Sequence, residues 1–125
     1  MKRSSCGMRP KMQTSQILRG DVWLVNLDPA IGSEVQKTRP AVVVSNNSAN
    51  AHLSRVTVVP VTSNIEKVFV SEARVIVSGK KGKAMCDQIR TLDKSRLVKR
   101  LDFLSPQEVK ALDIALCKAL SLPLP

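Results

Sequence analysis

The sequence predicts a mainly β domain closed by one C-terminal α-helix, built as a small, strongly curved sheet or partly open barrel. Three observations carry this expectation. Apolar and β-branched residues cluster in many short runs from Val22 onward. One amphipathic helix follows them at the end of the chain. The length of 125 residues fits one domain and leaves little room for two.

Taken in order, Met1 to Leu18 mixes Ser, Gly, Pro, Gln and basic residues without periodicity, which predicts a basic mobile tail over 1–18 ahead of a folded domain over 19–125. Val22 to Leu27 reads as a strand ended by Asp28-Pro29. Ala41 to Ser45 is apolar throughout its first four residues, as in a strand covered on both faces. Arg55 to Thr62 is a third strand, in which Pro60 argues for an edge or a bulge. Lys67–Val70, Ala73–Val77, Lys83–Asp87 and Leu97–Leu101 are further short strand candidates. The polar stretch Asn46 to His52 reads as a loop. Ser105-Pro106-Gln107-Glu108 offers an N-cap, a proline at the first helical position and an acid at the third, a capping box. Val109, Leu112, Leu116, Ala119 and Leu120 then form one apolar stripe, with Pro123 and Pro125 to stop the helix.

Composition narrows the function. The chain carries 20 Lys plus Arg against 10 Asp plus Glu, a formal charge of +10. Lys2, Arg3, Arg9, Lys11 and Arg19 open the chain with no acid among them, so residues 1–19 supply half the excess. This balance favours a polyanion such as nucleic acid, or an acidic protein partner. No apolar run approaches the ~20 residues that cross a bilayer, and the N-terminus lacks the ~7–15-residue apolar stretch of a secretory signal. A soluble, cytoplasmic protein with no membrane association is expected. Cys6, Cys86 and Cys117 are too scattered for a disulfide framework or a zinc module, and read as reduced, inert thiols. His52 is the sole histidine. No cluster of acids has metal-ligand spacing, so neither a metal nor another cofactor is expected.

Polar residues gather at the ends of strands, where a rigid sheet can fix a site. Gly32-Ser33-Glu34 leads into Lys37-Thr38-Arg39-Pro40. Arg39, held extended by the following proline, could clamp a phosphate through its planar fork, or pair with Glu34 or another carboxylate. Thr62-Ser63-Asn64 could bond phosphate oxygens or simply close a turn. Asp87-Gln88-Ile89-Arg90-Thr91-Leu92-Asp93-Lys94 could contact bases, sugars and phosphates, or form a local ion-pair network. Such an inventory suits RNA cleavage without metal. The 2′-hydroxyl is the nucleophile, and the protein must take its proton, stabilise the phosphorane and assist the leaving 5′-oxygen. With Trp23, Phe69 and Phe103 as the sole aromatics, a long base-stacking track is disfavoured, and readout would rest mainly on hydrogen bonds to unpaired base edges.

As a set, these residues resemble the MazF/PemK (Kid) family of toxins. Arg19-Gly20-Asp21-Val22-Trp23-Leu24-Val25 through Asp28-Pro29, with Gly32-Ser33-Glu34 and Thr38-Arg39-Pro40-Ala41, is similar to the family's opening. Val58-Val59-Pro60-Val61-Thr62-Ser63 and Met85-Cys86-Asp87-Gln88-Ile89-Arg90-Thr91-Leu92-Asp93-Lys94 resemble its later motifs in the right order, so that the likeness spans roughly residues 17–120.

The resemblance implies a homodimeric, SH3-like barrel of the CcdB/MazF type. It implies the toxin of a toxin–antitoxin pair, a sequence-specific, metal-independent endoribonuclease that cuts single-stranded RNA through a 2′,3′-cyclic phosphate. Its partner would be an acidic, MazE-like antitoxin. Carried onto this chain, the catalytic pair is Arg39 and Thr62, with Ser33, Glu34, Ser63, Asp87, Gln88 and Arg90 as substrate-binding residues. Ser33 and Met85 stand where the Kid branch has a histidine and an arginine, so that branch's arginine-plus-aspartate scheme does not transfer whole. Two other functions share the same sequence features in part: a CcdB-like gyrase poison, which needs neither Arg39 nor Thr62, and a non-catalytic RNA-binding module, which needs charge alone.

Overall fold

The computed structural model describes residues 16–27 and 38–124. Seven strands are present, β1 (Asp21–Asn26), β2 (Thr38–Val43), β3 (Arg55–Thr62), β4 (Glu72–Val77), β5 (Lys80–Met85), β6 (Arg90–Asp93) and β7 (Leu97–Phe103). Helix α1 (Asn47–His52) lies between β2 and β3, and α2 (Pro106–Leu120) follows β7. The strand order is β4-β5-β3-β2-β1-β7, with β6 also paired to β3, and every pairing is antiparallel.

β3 makes the sheet bend. Its first half, Arg55–Val58, pairs with β6, and its last two residues, Val61 and Thr62, pair with β5. Pro60 falls in the gap between those two ladders. The proline therefore marks neither an edge nor an extra residue, as its sequence context suggested. It sits in an inner strand where a residue without an N–H is tolerated because the neighbour changes.

Alternation along the strands divides the interior in two. Val22, Val42, Val59 and Val61 face one core, which α2 covers with Leu112 and Ala115. Trp23, Val25, Ala41, Val43, Val56, Val58 and Leu92 face the other. Burial on both faces is why β2 and β3 read as continuous apolar runs. Ile17, just inside the N-terminal limit of the described residues, packs against the second core.

α2 has the capping box in full. The Ser105 hydroxyl accepts from the Glu108 amide at 3.2 Å, and Glu108 accepts from the Ser105 amide at 2.8 Å. The other Glu108 oxygen accepts from the Ile76 amide at 2.7 Å, and Asp102 accepts from the Ser78 amide at 2.7 Å. Two carboxylates thus occupy donors on β4 and its turn, at the outer end of the sheet, where free N–H groups invite strand pairing. The helix ends before its prolines, at Ser121 in the left-handed region (φ 57°). Leu120, expected in the buried stripe, is 49% exposed.

Three local expectations are corrected. Lys67–Val70 forms no strand; its backbone turns and is tied to Glu72 instead. Lys83–Asp87 is strand only to Met85, and Asp87 belongs to a 3-10 turn over Cys86–Gln88. Asn47–His52 is a helix rather than a loop. Asn46 caps it by accepting from the Ala49 amide at 2.8 Å, and buried Asn50 bonds the Ser45 carbonyl at 2.9 Å. Its polar residues serve caps and internal bonds, so no apolar periodicity announces it. Among the described residues no helix is long and apolar enough to cross a membrane.

Candidate active site

The site grows from the start of β2 and the end of β3. Arg39 is the second residue of β2, opposite Val25 of β1, and Pro40 biases its backbone to the extended form a strand requires. β2 and β3 are in register at Ala41 and Pro60. Carried two residues further, that register sets Arg39 opposite Thr62. The strands splay here, because the end of β3 turns toward β5.

The splay opens a groove of about 750 Å³. Thr38, Arg39, Thr62 and Ser63 line one side, and Ser78, Lys80, Lys81 and Gly82 of the β4–β5 hairpin line another. Its hairpin turn has Ser78 (φ 51°) and Gly79 (φ 81°) both left-handed, as a two-residue loop of the tight primed type demands. The Ser78 hydroxyl donates to the Leu101 carbonyl at 3.3 Å, fixing the turn against β7. Gly82 lets β5 approach β3: a Cβ there would lie 2.9 Å from the Thr62 carbonyl oxygen.

The chemistry of the lining is one-sided. Three cations and four hydroxyl-bearing residues face the groove, and none of the described lining residues is a carboxylate. Thr62 Oγ1 accepts from the Asn64 amide at 3.3 Å, and Asn64 Oδ1 accepts from the Glu66 amide at 3.3 Å. The turn that the sequence allowed is therefore formed, and it leaves the Thr62 hydroxyl proton to be donated. A fork of N–H donors, two ammonium groups and hydroxyl donors around one opening is an anion-binding arrangement, suited to a phosphodiester and to the extra charge of a phosphorane.

Arg39, Thr62 and Ser63 thus share one groove. Ser33 and Glu34 lie outside the described residues. Asp87, Gln88 and Arg90 do not line the groove. Asp87 and Gln88 are exposed in the turn after β5, where Gln88 Nε2 contacts Met85 Sδ at 3.5 Å. Arg90 opens β6 opposite Val58, four residues back along β3 from Thr62, or about 13 Å of strand. His52 is exposed on α1 and bonds the Ser48 carbonyl at 2.9 Å. Burial pushes the Cys86 thiol up to about 12, aided by Asp87, Glu72 and Asp113, so it stays a protonated core residue.

Lys80 and Lys81 escaped the sequence reading. The Ser78-Gly79 dipeptide was a usable signal, since a turn after the alternating run Glu72–Val77 folds the residues that follow back beside a strand.

Comparison with known proteins identifies the family. Residues 18–120 match the family described as PemK-like, MazF-like toxin of type II toxin–antitoxin system. The chain is 45% identical over 109 residues to Endoribonuclease MazF9 of Mycobacterium tuberculosis, covering 78% of this chain and 91% of that protein. Among solved structures, it is similar to an endoribonuclease from a mycobacterial species (TM-score 0.73, 28% identity, 88% of this chain and 96% of that one). It is also similar to a mycobacterial endoribonuclease in complex with its cognate antitoxin (TM-score 0.73, 29% identity, 87% and 99%). By its motifs, its fold and these matches, the chain belongs to the PemK/MazF family of type II toxin–antitoxin toxins and is an endoribonuclease of the MazF type.

Proposed function

We propose that the protein cleaves single-stranded RNA at a short sequence motif without a metal, in the groove between the ends of β2 and β3. The observation that carries this reading is the lining itself, in which Arg39, Lys80, Lys81 and four hydroxyl-bearing residues surround an opening with no described carboxylate. In this mechanism the 2′-hydroxyl attacks the adjacent phosphorus. Arg39 stabilises the phosphorane and acts as a proton-transfer partner, while Thr62 donates to a non-bridging oxygen and positions the scissile phosphate. The P–O5′ bond breaks, the 5′-oxygen leaves as a hydroxyl with a proton that balances the one lost by the 2′-hydroxyl, and a 2′,3′-cyclic phosphate remains on the other fragment. Lys80 and Lys81 neutralise neighbouring phosphates, and Ser63 assists Thr62. Asp87, Gln88 and Arg90 contact nucleotides further along the strand, and Ser33 and Glu34 act from the β1–β2 connection.

The active assembly in this reading is a homodimer working in the cytoplasm. The basic segment 1–18 precedes the catalytic domain and adds to the attraction of RNA. An acidic antitoxin segment, disordered alone, folds across the same groove and neutralises its field; a similar mycobacterial endoribonuclease forms a complex with its cognate antitoxin.

A single 2′-deoxy substitution tests the chemistry. Once a cut position is mapped, an RNA lacking only that 2′-hydroxyl is expected to stay intact, while the all-RNA control yields a cyclic-phosphate end. Cleavage of the deoxy-substituted strand at the same bond would remove the internal nucleophile from the mechanism.

A further inference from the structure

We propose that Phe69 is a stacking platform for one unpaired base of the RNA, in a subsite beside Thr62. Of the three aromatic residues, Trp23 is buried, Phe103 is half-buried and Phe69 is 57% exposed. An exposed phenyl ring costs solvation unless something covers it, and this one is held in place. The Phe69 amide donates to Glu72 Oε1 at 2.9 Å, and the Glu72 amide donates back to the Phe69 carbonyl at 3.0 Å. Glu72 pairs with Lys83 at 2.9 Å, both side chains being less than a tenth exposed, and Lys83 also donates to the Lys67 carbonyl. A buried ion pair thus pins the turn that presents the ring, which limits the ordering cost of binding.

Position and charge select the ligand. Lys83 is the cross-strand partner of Thr62, and its ammonium lies over the Phe69 ring, 5.6 Å from its centre, so this one lysine links the ring to the strand end that carries Thr62. The Lys67 ammonium lies 5.9 Å from the same ring. An exposed aromatic ring beside cations, tied through Lys83 to the strand end that carries Thr62, suits a nucleobase whose own phosphate enters the groove. One ring serves one base, which is compatible with the scarcity of aromatics elsewhere. This inference rests on the reading that the scissile phosphate lies at Thr62.

The test compares Phe69→Leu, Phe69→Tyr and Arg39→Ala with the unmodified protein on a long single-stranded transcript, with cut positions mapped and kcat and KM measured separately. Phe69→Leu keeps the bulk and loses the π-face. Its kcat/KM is expected to fall roughly 5- to 100-fold, mainly through KM, with relaxed preference at one position of the motif. Phe69→Tyr is expected to restore both. An unchanged rate and motif in Phe69→Leu would overturn the platform and leave the ring to a protein partner. Equal loss in Phe69→Leu and Phe69→Tyr would also overturn it, reducing the ring to a support of its turn. Full activity in Arg39→Ala would instead unseat the underlying site, whatever the Phe69 variants do.

Discussion

Arg39 and Thr62 show how far single residues can be read from a sequence. Their types and their places at strand ends were legible, because R-P and T-S motifs bracket buried runs whose ends a sheet must fix. Their meeting in one groove was not legible, since it depends on the register of Ala41 with Pro60 and on the splay beyond it. Lys80 and Lys81 were missed for the same reason: the β4–β5 hairpin brings them there from a separate part of the chain. Among the described residues neither lysine has an ion-pair partner, so their work is attributed to the substrate. Lys80→Gln and Lys81→Gln are each expected to make log(kcat/KM) less steep against log salt concentration by about 0.7, the single-strand value per phosphate contact, with cut positions unchanged. An unaltered slope, read from cleavage rates between low and moderate salt, would take these lysines off the phosphate path.

At the scale of elements, the strong signals survived and the weak ones did not. α2 was legible from its capping box and stripe, and β3 from a run of eight residues of which six are β-branched. α1 was hidden because its polar side chains cap and cross-link it, and the 67–71 turn was misread because its strand-like composition is overruled by Glu72 and Lys83. Burial pushes the Glu72 carboxyl up, but the Phe69 amide and the Lys83 ammonium outweigh it and hold the group below its ordinary value. A carboxyl depressed in the folded state contributes stability that is present above its unfolded value, about 4.3, and is lost as pH falls through the lower folded value. Lys83→Met strands a buried carboxylate and is expected to cost about 3–5 kcal/mol at neutral pH, read from urea midpoints. The cost should shrink toward acid, where Glu72 takes up a proton. A loss that is small, or equal at neutral and acid pH, would contradict a structural role for the pair.

For the whole molecule, the bent sheet converts a moderately basic chain into one with a directed opening. Along one edge β3 exchanges β6 for β5, the gap at Pro60 lets it turn, and the end that turns carries Thr62 away from β2. The mainly β class with a terminal helix was legible from run length and order alone. The partner exchange along β3 was not, because a single strand sequence does not encode which neighbour pairs with each half. Electrostatic attraction supplies encounter with RNA of any sequence, whereas in the proposed mechanism the cut depends on the fork of Arg39 at the phosphate.

The most direct test is to incubate the purified full-length protein with a long single-stranded RNA in EDTA and map new 5′ ends by primer extension, beside the Arg39→Ala protein. The account predicts discrete ends at one recurring short motif, lowered by about 10²–10⁴-fold in Arg39→Ala, the usual contribution of one electrostatic or acid–base group. Because the Arg39 side chain makes no hydrogen bond or ion pair among the described residues, the variant should keep its thermal midpoint. RNA left intact in EDTA but cut when a divalent metal is restored, or ends unchanged in the folded Arg39→Ala protein, would contradict it.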